Sequence, residues 1–248
     1  MQTQMWTVDK TVDNLKTYPQ IIEAAQKLMK NEVVAFPTET VYGLGGNATS
    51  DEAVLKIFEA KGRPGDNPLI IHIANTEQIH SFVKEIPDQA AVLMDAFWPG
   101  PLTIILEKKD GALSEKATAG LSTVAVRMPD HPVALALIEA SGLPLAAPSA
   151  NLSGKPSPTT AAHVADDLTG RISGIVNGGA TGVGLESTVV DCTGEIPAIL
   201  RPGGVTKEQL EEVVGEVAVD PALKDSNQAP KSPGMKYRHY APNAPFYL

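Results

Sequence analysis

Two cations stand two residues apart in Lys61-Gly62-Arg63-Pro64-Gly65-Asp66-Asn67-Pro68, where a glycine break is held between prolines. A guanidinium offers a planar fork for phosphate oxygens and an ammonium adds a mobile point charge, so the pair suits a single anion. A solvated helix C-terminus, where cations complement the dipole, accounts for the same residues. Three other sets of loops are dense in polar groups. Pro37-Thr38-Glu39-Thr40-Val41-Tyr42-Gly43-Leu44 puts hydroxyls and a carboxylate just after a strand-like run. Open α/β sheets bind ligands at that place, although an ordinary turn with Thr38 and Thr40 satisfying local backbone groups reads the same way. Ala147-Pro148-Ser149-Ala150-Asn151-Leu152-Ser153-Gly154-Lys155-Pro156-Ser157 joins small residues, which let a ligand approach the backbone, to Ser and Asn donors. Ser187-Thr188 enters a later strand and Arg201-Pro202-Gly203 leaves another.

Two single residues stand out from apolar runs. Arg127 lies in Val124-Ala125-Val126-Arg127-Met128, where an unpaired charge is too costly to bury, so it must meet a carboxylate. That carboxylate is either a structural Asp or Glu or part of a ligand. His72, in Leu69-Ile70-Ile71-His72-Ile73, also fits a hydrogen-bonded core histidine.

Other chemistries lack their residues. There is no G-x-x-x-x-G-K-[ST] phosphate loop, and Gly178-Gly179-Ala180-Thr181-Gly182-Val183-Gly184 lacks the G-x-G-x-x-G order before a helix. The histidines His72, His80, His131, His163 and His239 have no metal-ligand spacing, so no protein metal centre is expected. The single cysteine, Cys192, cannot form an intramolecular disulfide and fits a reducing compartment. The start Met1-Gln2-Thr3-Gln4-Met5-Trp6 has neither the basic residues nor the apolar core of a signal peptide, and no apolar run reaches the roughly 18 residues of a membrane span. A cytoplasmic protein is expected. With 29 acidic residues against 20 basic, the net charge of -9 opposes tight bulk binding to nucleic acid or anionic membrane.

The polar loops need a frame, and the apolar patterns supply one. Pro19 opens a helix with Ile21, Ala25, Leu28 and Met29 on one face. Val33 to Phe36 reads as a buried strand, and Thr49 with Glu52 as a capping box for a helix that Gly62 stops. Strands are expected at Leu69 to Ile73, Leu102 to Leu106, Val124 to Met128, Leu143 to Ala147, Gly174 to Val176, Ser187 to Cys192 and Ala198 to Leu200, with a helix from Pro132 to Ser141. This alternation predicts an α/β fold with a large twisted, mostly mixed sheet flanked by helices. After Gly204 the character changes. Residues 207–227 carry a net -4 with helical periodicity, and residues 228–248 carry a net +3 among four prolines, as a linker would. The closing Phe246-Tyr247-Leu248 reads either as the opening of another strand or as an ordinary chain end.

Taken together and in order, these segments resemble the YrdC/Sua5 family, the L-threonylcarbamoyladenylate synthases. The resemblance runs from about residue 15 to residue 205 through the three loops above, Trp98-Pro99-Gly100-Pro101-Leu102-Thr103, Val126-Arg127-Met128-Pro129, Glu186-Ser187-Thr188-Val189-Val190 and Arg201-Pro202-Gly203. Ser232 to Pro242 is similar to the linker of the long, Sua5-type members, in which a second domain follows. The resemblance therefore implies a YrdC-like catalytic domain over residues 1–206. Residues 207–248 would be a helix and a linker or lid leading to a Sua5-type domain that this sequence does not include.

It also implies a reaction. L-Threonine, bicarbonate and ATP would give L-threonylcarbamoyl-AMP and pyrophosphate, and a separate tRNA threonylcarbamoyl-transferase complex would use the product beside the anticodon. Position by position, Thr38, His72, Arg127, Ala147 and Ser187 match family positions around threonine. Lys61, Arg63, Asn67, Thr123, Ser149, Asn151, Ser157 and Arg201 match positions around ATP, with Lys61 and Arg63 as the catalytic cations. Arg238, His239 and Tyr240 would close over the nucleotide, and Mg²⁺ would be held mainly by the phosphates. The alternative is an RNA-binding module whose patch is Lys61, Arg63, Lys155, Arg201 and Arg238. The net charge and the 5% aromatic content weigh against it.

Overall fold

The structure is a computed structural model and describes residues 2–221. In chain order its elements are β1 (Gln4–Thr7), α1 (Pro19–Met29), β2 (Val34–Phe36), β3 (Gly43–Asn47), α2 (Asp51–Lys61), β4 (Ile70–His72), α3 (Asp88–Phe97), β5 (Leu102–Glu107), β6 (Thr123–Arg127), α4 (Pro132–Ser141), β7 (Leu145–Ala146), α5 (Ala161–Leu168), β8 (Gly174–Asn177), β9 (Thr188–Asp191), β10 (Ala198–Arg201), α6 (Lys207–Val214) and β11 (Ala218–Val219). The strands form one sheet in the order β1-β8-β2-β3-β7-β4-β6-β5-β9-β10-β11. Pairing is mixed throughout: β4 runs parallel to β6 and antiparallel to β7, and β5 runs antiparallel to β6 and parallel to β9. This is the mixed α/β architecture that the alternating patterns predict. Among the described residues no helix is long and apolar enough to cross a membrane.

Period-two alternation sorts the strand residues onto two faces. Val34 and Phe36 of β2 pack with Trp6, Val176, Ile21 and Leu28 of α1, and Leu137 of α4. Ala35, between them, joins the other core with Ile57 and Phe58 of α2. That second core runs on through Ile71, Ile104, Val126 and Val190 to residues of α3, α5 and α6. On the reverse side of β4, β6, β5, β9 and β10 the intervening residues Ile70, Ala125, Ile105, Val189 and Leu200 form a small cluster of their own. His72 and Arg127 follow Ile70 and Ala125 by two residues, so they share that face. His72 also pairs in register with Leu145 of the α1–α4 layer, and its ring meets that of Phe36 edge-on at 6.2 Å. The site face is therefore a continuation of the face that α1 and α4 cover at the other end of the sheet.

Several elements differ from the sequence reading. The cap of α2 is Ser50, whose hydroxyl accepts from the Ala53 N–H, while the Thr49 hydroxyl donates to Asn47 Oδ1. Either Thr49 or Ser50 satisfies the local rule, and the Asn47 turn decides between them. β3 reads as a loop in sequence because Gly43, Gly45 and Gly46 carry no pattern. Its glycines have a steric cause: a Cβ on Gly45 would lie 2.7 Å from the Phe36 ring and one on Gly46 3.1 Å from Ile57. α3, α5, β1 and β11 are further elements that the pattern does not single out. α6 buries Leu210 in the main core, and β11 adds a strand parallel to β10, so residues 207–219 pack as part of this body.

Candidate active site

A cavity of about 250 Å³ opens on this face. Its wall comes from the 38–43 loop, from Arg63 and the segment 68–72, from Arg127, from the 147–149 loop, and from Glu186, Ser187, Arg201 and Pro202. Eight sequence-predicted residues are brought together there: Thr38, Arg63, His72, Arg127, Ala147, Ser149, Ser187 and Arg201.

Arg127 closes β6 and is buried, with its side chain 5% exposed. Its Nε donates to the Gly100 carbonyl at 3.3 Å, and its Nη2 lies 2.6 Å from Glu39 Oε1. The carboxylate that Arg127 requires is thus an internal one. Burial lowers the Arg127 pKa, and the Glu39 charge opposes that shift. His72 Nδ1 lies 3.2 Å from the Ile70 carbonyl. A carbonyl only accepts, so Nδ1 carries the proton and Nε2 is left as an acceptor. Burial, with Arg127 adding to it, pulls the His72 pKa down to about 3, so the ring is neutral at pH 7. The Thr38 hydroxyl donates to the Val41 carbonyl at 2.6 Å and accepts from the Thr40 and Val41 N–H groups. Thr38 therefore shapes the loop, and its hydroxyl is already in use inside it.

The cations are placed unequally. Gly62, with φ 60°, ends α2 in a left-handed turn that only glycine adopts without strain, and Arg63 leaves the helix there to reach the cavity. Lys61, the last residue of the helix, is not part of the cavity wall. Its Nζ donates to the carbonyls of Ser149 and Asn151 at 2.5 and 2.7 Å, and its own carbonyl accepts the Ser153 N–H. In the structure the ammonium anchors the loop on which Ser149 is presented. Asp167 of α5 holds the same loop from the far side through the Leu152 N–H and the Lys155 ammonium. Asn151, within this loop, and Asn67, whose carbonyl accepts from Arg63, are buried, and the Oδ1 of each has no hydrogen-bond partner among the described residues. Asn151 Nδ2 donates to the Leu152 and Lys155 carbonyls, both at 2.8 Å.

Burial, reinforced by Arg63, lowers the Lys61 pKa from 10.5 to about 7, and Asp167 works against this. An unfolded Lys61 keeps its proton until about pH 10.4, whereas the folded one releases it near 7. Between those values the unfolded chain binds more protons, so stability rises with pH across that window. Denaturant midpoints of the wild type and Lys61→Met, compared from pH 7 to 9.5, should diverge in favour of the wild type. Parallel profiles would show that Lys61 does not titrate there.

On the β9–β10 side, Ser187 Oγ shares a hydrogen bond of 2.7 Å with Thr103 Oγ1, and Arg201 donates to the Ser187 carbonyl through Nε and Nη2. This approach requires Gly203, where a Cβ would fall 2.4 Å from the Glu186 carbonyl oxygen. Ser157, expected beside ATP, donates to Glu186 Oε1 at 2.8 Å rather than lining the cavity. Thr123 begins β6, about 13 Å of strand before Arg127, and does not line the cavity either. Arg238, His239 and Tyr240 lie outside the described residues. The patch that RNA binding would need is not presented as a unit, because Lys61 is buried on carbonyls and the Lys155 ammonium pairs with Asp167 at 2.6 Å.

Glu39, Gly100, Thr103 and Glu186 belong to the site although the sequence assigns none of them a role; each lies within one of the motifs quoted above.

The chain is similar to known proteins. Residues 26–203 match the Sua5_yciO_yrdC family model, described as "Telomere recombination". Residues 205–248 match a model for the C-terminal domain of threonylcarbamoyl-AMP synthase. A threonylcarbamoyl-AMP synthase of Bacillus subtilis is 63% identical over all 248 residues, and one of Pyrococcus abyssi is 57% identical over 222 residues. The chain spans 72% and 65% of the lengths of those two relatives. Among solved structures, P. abyssi Sua5 complexed with L-threonine superposes with a TM-score of 0.92 at 53% identity, covering 98% of this chain and 70% of that one.

Proposed function

This chain belongs to the Sua5–YciO–YrdC family, and we propose that it makes L-threonylcarbamoyl-AMP and pyrophosphate from L-threonine, bicarbonate and ATP. The observation that carries this reading is a single cavity whose wall joins Arg127 and His72 to Arg63, Ser149 and Arg201. The first pair suits an amino acid, and the second set suits phosphate. At about 250 Å³ the cavity is just below the usual range for small-molecule sites, roughly 300–1,000 Å³, so it holds the reacting ends of the substrates.

The chemistry explains the residue types. Threonine's amine and bicarbonate give a carbamate and water. A carbamate oxygen then forms a bond to the α-phosphorus as the bond to the pyrophosphate oxygen breaks. The attacking group is already an anion, so no activated side-chain nucleophile is needed. The obstacles are repulsion between anions and their alignment, which fixed cations and hydrogen-bond donors address. Arg127 would bind the threonine carboxylate, and His72 Nε2 would accept from its hydroxyl or amine. Arg63 and the Ser149 loop, braced by Lys61, would hold the triphosphate. The Asn67 and Asn151 side-chain oxygens, unpartnered among the described residues, are suited to donors on the nucleotide.

Mg²⁺ would arrive with ATP and offset its phosphate charge. It takes oxygen ligands and keeps several waters. Among the described residues no group of three or more His, Cys, Asp or Glu could hold a metal, and Glu186 is the carboxylate in the cavity wall able to add one protein oxygen. The product would pass to a tRNA threonylcarbamoyl-transferase complex in the cytoplasm, without tight tRNA binding by this acidic chain.

Release of pyrophosphate from ATP tests the proposal. It should require threonine and bicarbonate together, with the adenylate as co-product. Pyrophosphate release indifferent to threonine, or none from folded protein, would reject it.

A further inference from the structure

Glu39 is a buried carboxylate that the proposed reaction has not yet used. Its side chain is 12% exposed, between Thr38 and Thr40 of the cavity wall. The Glu39 carbonyl accepts the N–H groups of Gly182 and Val183, which fixes the backbone that carries it. The carboxylate touches Arg127 Nη2 at 2.6 Å, yet neither Glu39 oxygen nor Nη2 is aligned for a hydrogen bond within the described residues. Such a pair is a poor stabiliser, because the Coulomb attraction must offset the desolvation of both ions without the usual hydrogen bonds. Neighbouring histidines do not alter the charge count at pH 7. Burial, with Arg127 for His72 and Lys10 for His131, takes their pKa values down to about 3 and about 4. At the Arg127 end of the cavity, Glu39 is thus the carboxylate in direct contact with the guanidinium, while Arg63, Arg201 and Glu186 belong to the rest of the wall.

We propose that Glu39 sets the charge selectivity of this pocket, admitting a ligand that carries both a carboxylate and an ammonium. This inference rests on the amino-acid reading above. With Arg127 alone the pocket would be cationic, and any small hydroxycarboxylate would neutralise it. With Glu39 present, a plain anion leaves a net buried negative charge and a plain cation leaves a net positive one. A zwitterion leaves the Arg127–Glu39 end balanced, its carboxylate at Arg127 and its ammonium in the field of Glu39.

Calorimetric titration of the protein with three ligands tests this. They are threonine, 3-hydroxybutyrate (the same skeleton without the amine) and threoninamide (without the carboxylate). In the wild type both singly charged ligands should bind at least tenfold more weakly than threonine. Glu39→Gln should cut the preference for threonine over 3-hydroxybutyrate at least tenfold, whereas Glu39→Asp, which keeps the charge, should preserve it even where both affinities fall. If 3-hydroxybutyrate matches threonine in the wild type, the inference is overturned without any variant. It is equally overturned if Glu39→Gln weakens both ligands in parallel, as a merely structural residue would. If the wild type binds none of the three, the amino-acid reading itself fails, whereas threonine binding with an unchanged preference sinks the role of Glu39 alone.

Discussion

Arg63→Ala should lower turnover by about 10²–10³-fold while leaving the melting temperature close to that of the wild type. The rate loss follows from what the side chain offers. In phosphoryl and nucleotidyl transfer the protein supplies little beyond position and positive charge, and deleting one pre-set donor to the developing charge typically removes that much. The small effect on stability follows from where Arg63 sits. It leaves α2 at the left-handed Gly62, is only half-buried, and donates through Nη2 to the Asn67 carbonyl at a long 3.4 Å, outside the apolar cores that hold the sheet. Arg63→Lys should recover little, because an ammonium cannot reproduce a planar fork on two phosphate oxygens. Steady-state pyrophosphate release, read beside a thermal melt, checks both halves. Full activity in Arg63→Ala would remove this residue from the reaction.

Lys61 and Arg63 also show where sequence reasoning stops. The spacing identifies two cations at a helix end, and the helix end is real. A helix turns by about 100° per residue, and the chain leaves the helical path at Gly62, so two residues in sequence become opposite duties in space. One cation braces the loop through carbonyls that lie 88 and 90 residues away, and the other reaches the cavity. The strands that carry His72 and Arg127 were legible because their alternation is strong and local. β3 was not, since its glycines are dictated by Phe36 and Ile57, side chains on other elements. The need of Arg127 for a carboxylate was legible from burial alone. Its identity was not, because Glu39 lies on a loop far from Arg127 in sequence, and only the fold brings the two together. Local propensity specifies elements, while partners belong to tertiary structure.

That pairing makes Arg127 the residue with the largest expected combined effect. Arg127→Met should abolish measurable threonine binding and also destabilise the fold by about 3–5 kcal/mol, since it strands Glu39 as an uncompensated buried charge. For a chain of this size that corresponds to a fall in melting temperature on the order of 10 °C. The two effects have different origins and should separate in the double variant Arg127→Met with Glu39→Gln. Removing both charges takes away the stranded ion, and replacement of a buried pair by neutral side chains of similar volume is often close to neutral. The double variant should therefore regain most of the lost stability and none of the threonine affinity. Thermal melts report the first quantity and calorimetric titration with threonine the second. A single variant that melts like the wild type would mean that the Glu39–Arg127 contact of 2.6 Å contributes nothing to the fold. A double variant that still binds threonine with wild-type affinity would place the substrate carboxylate on some other group.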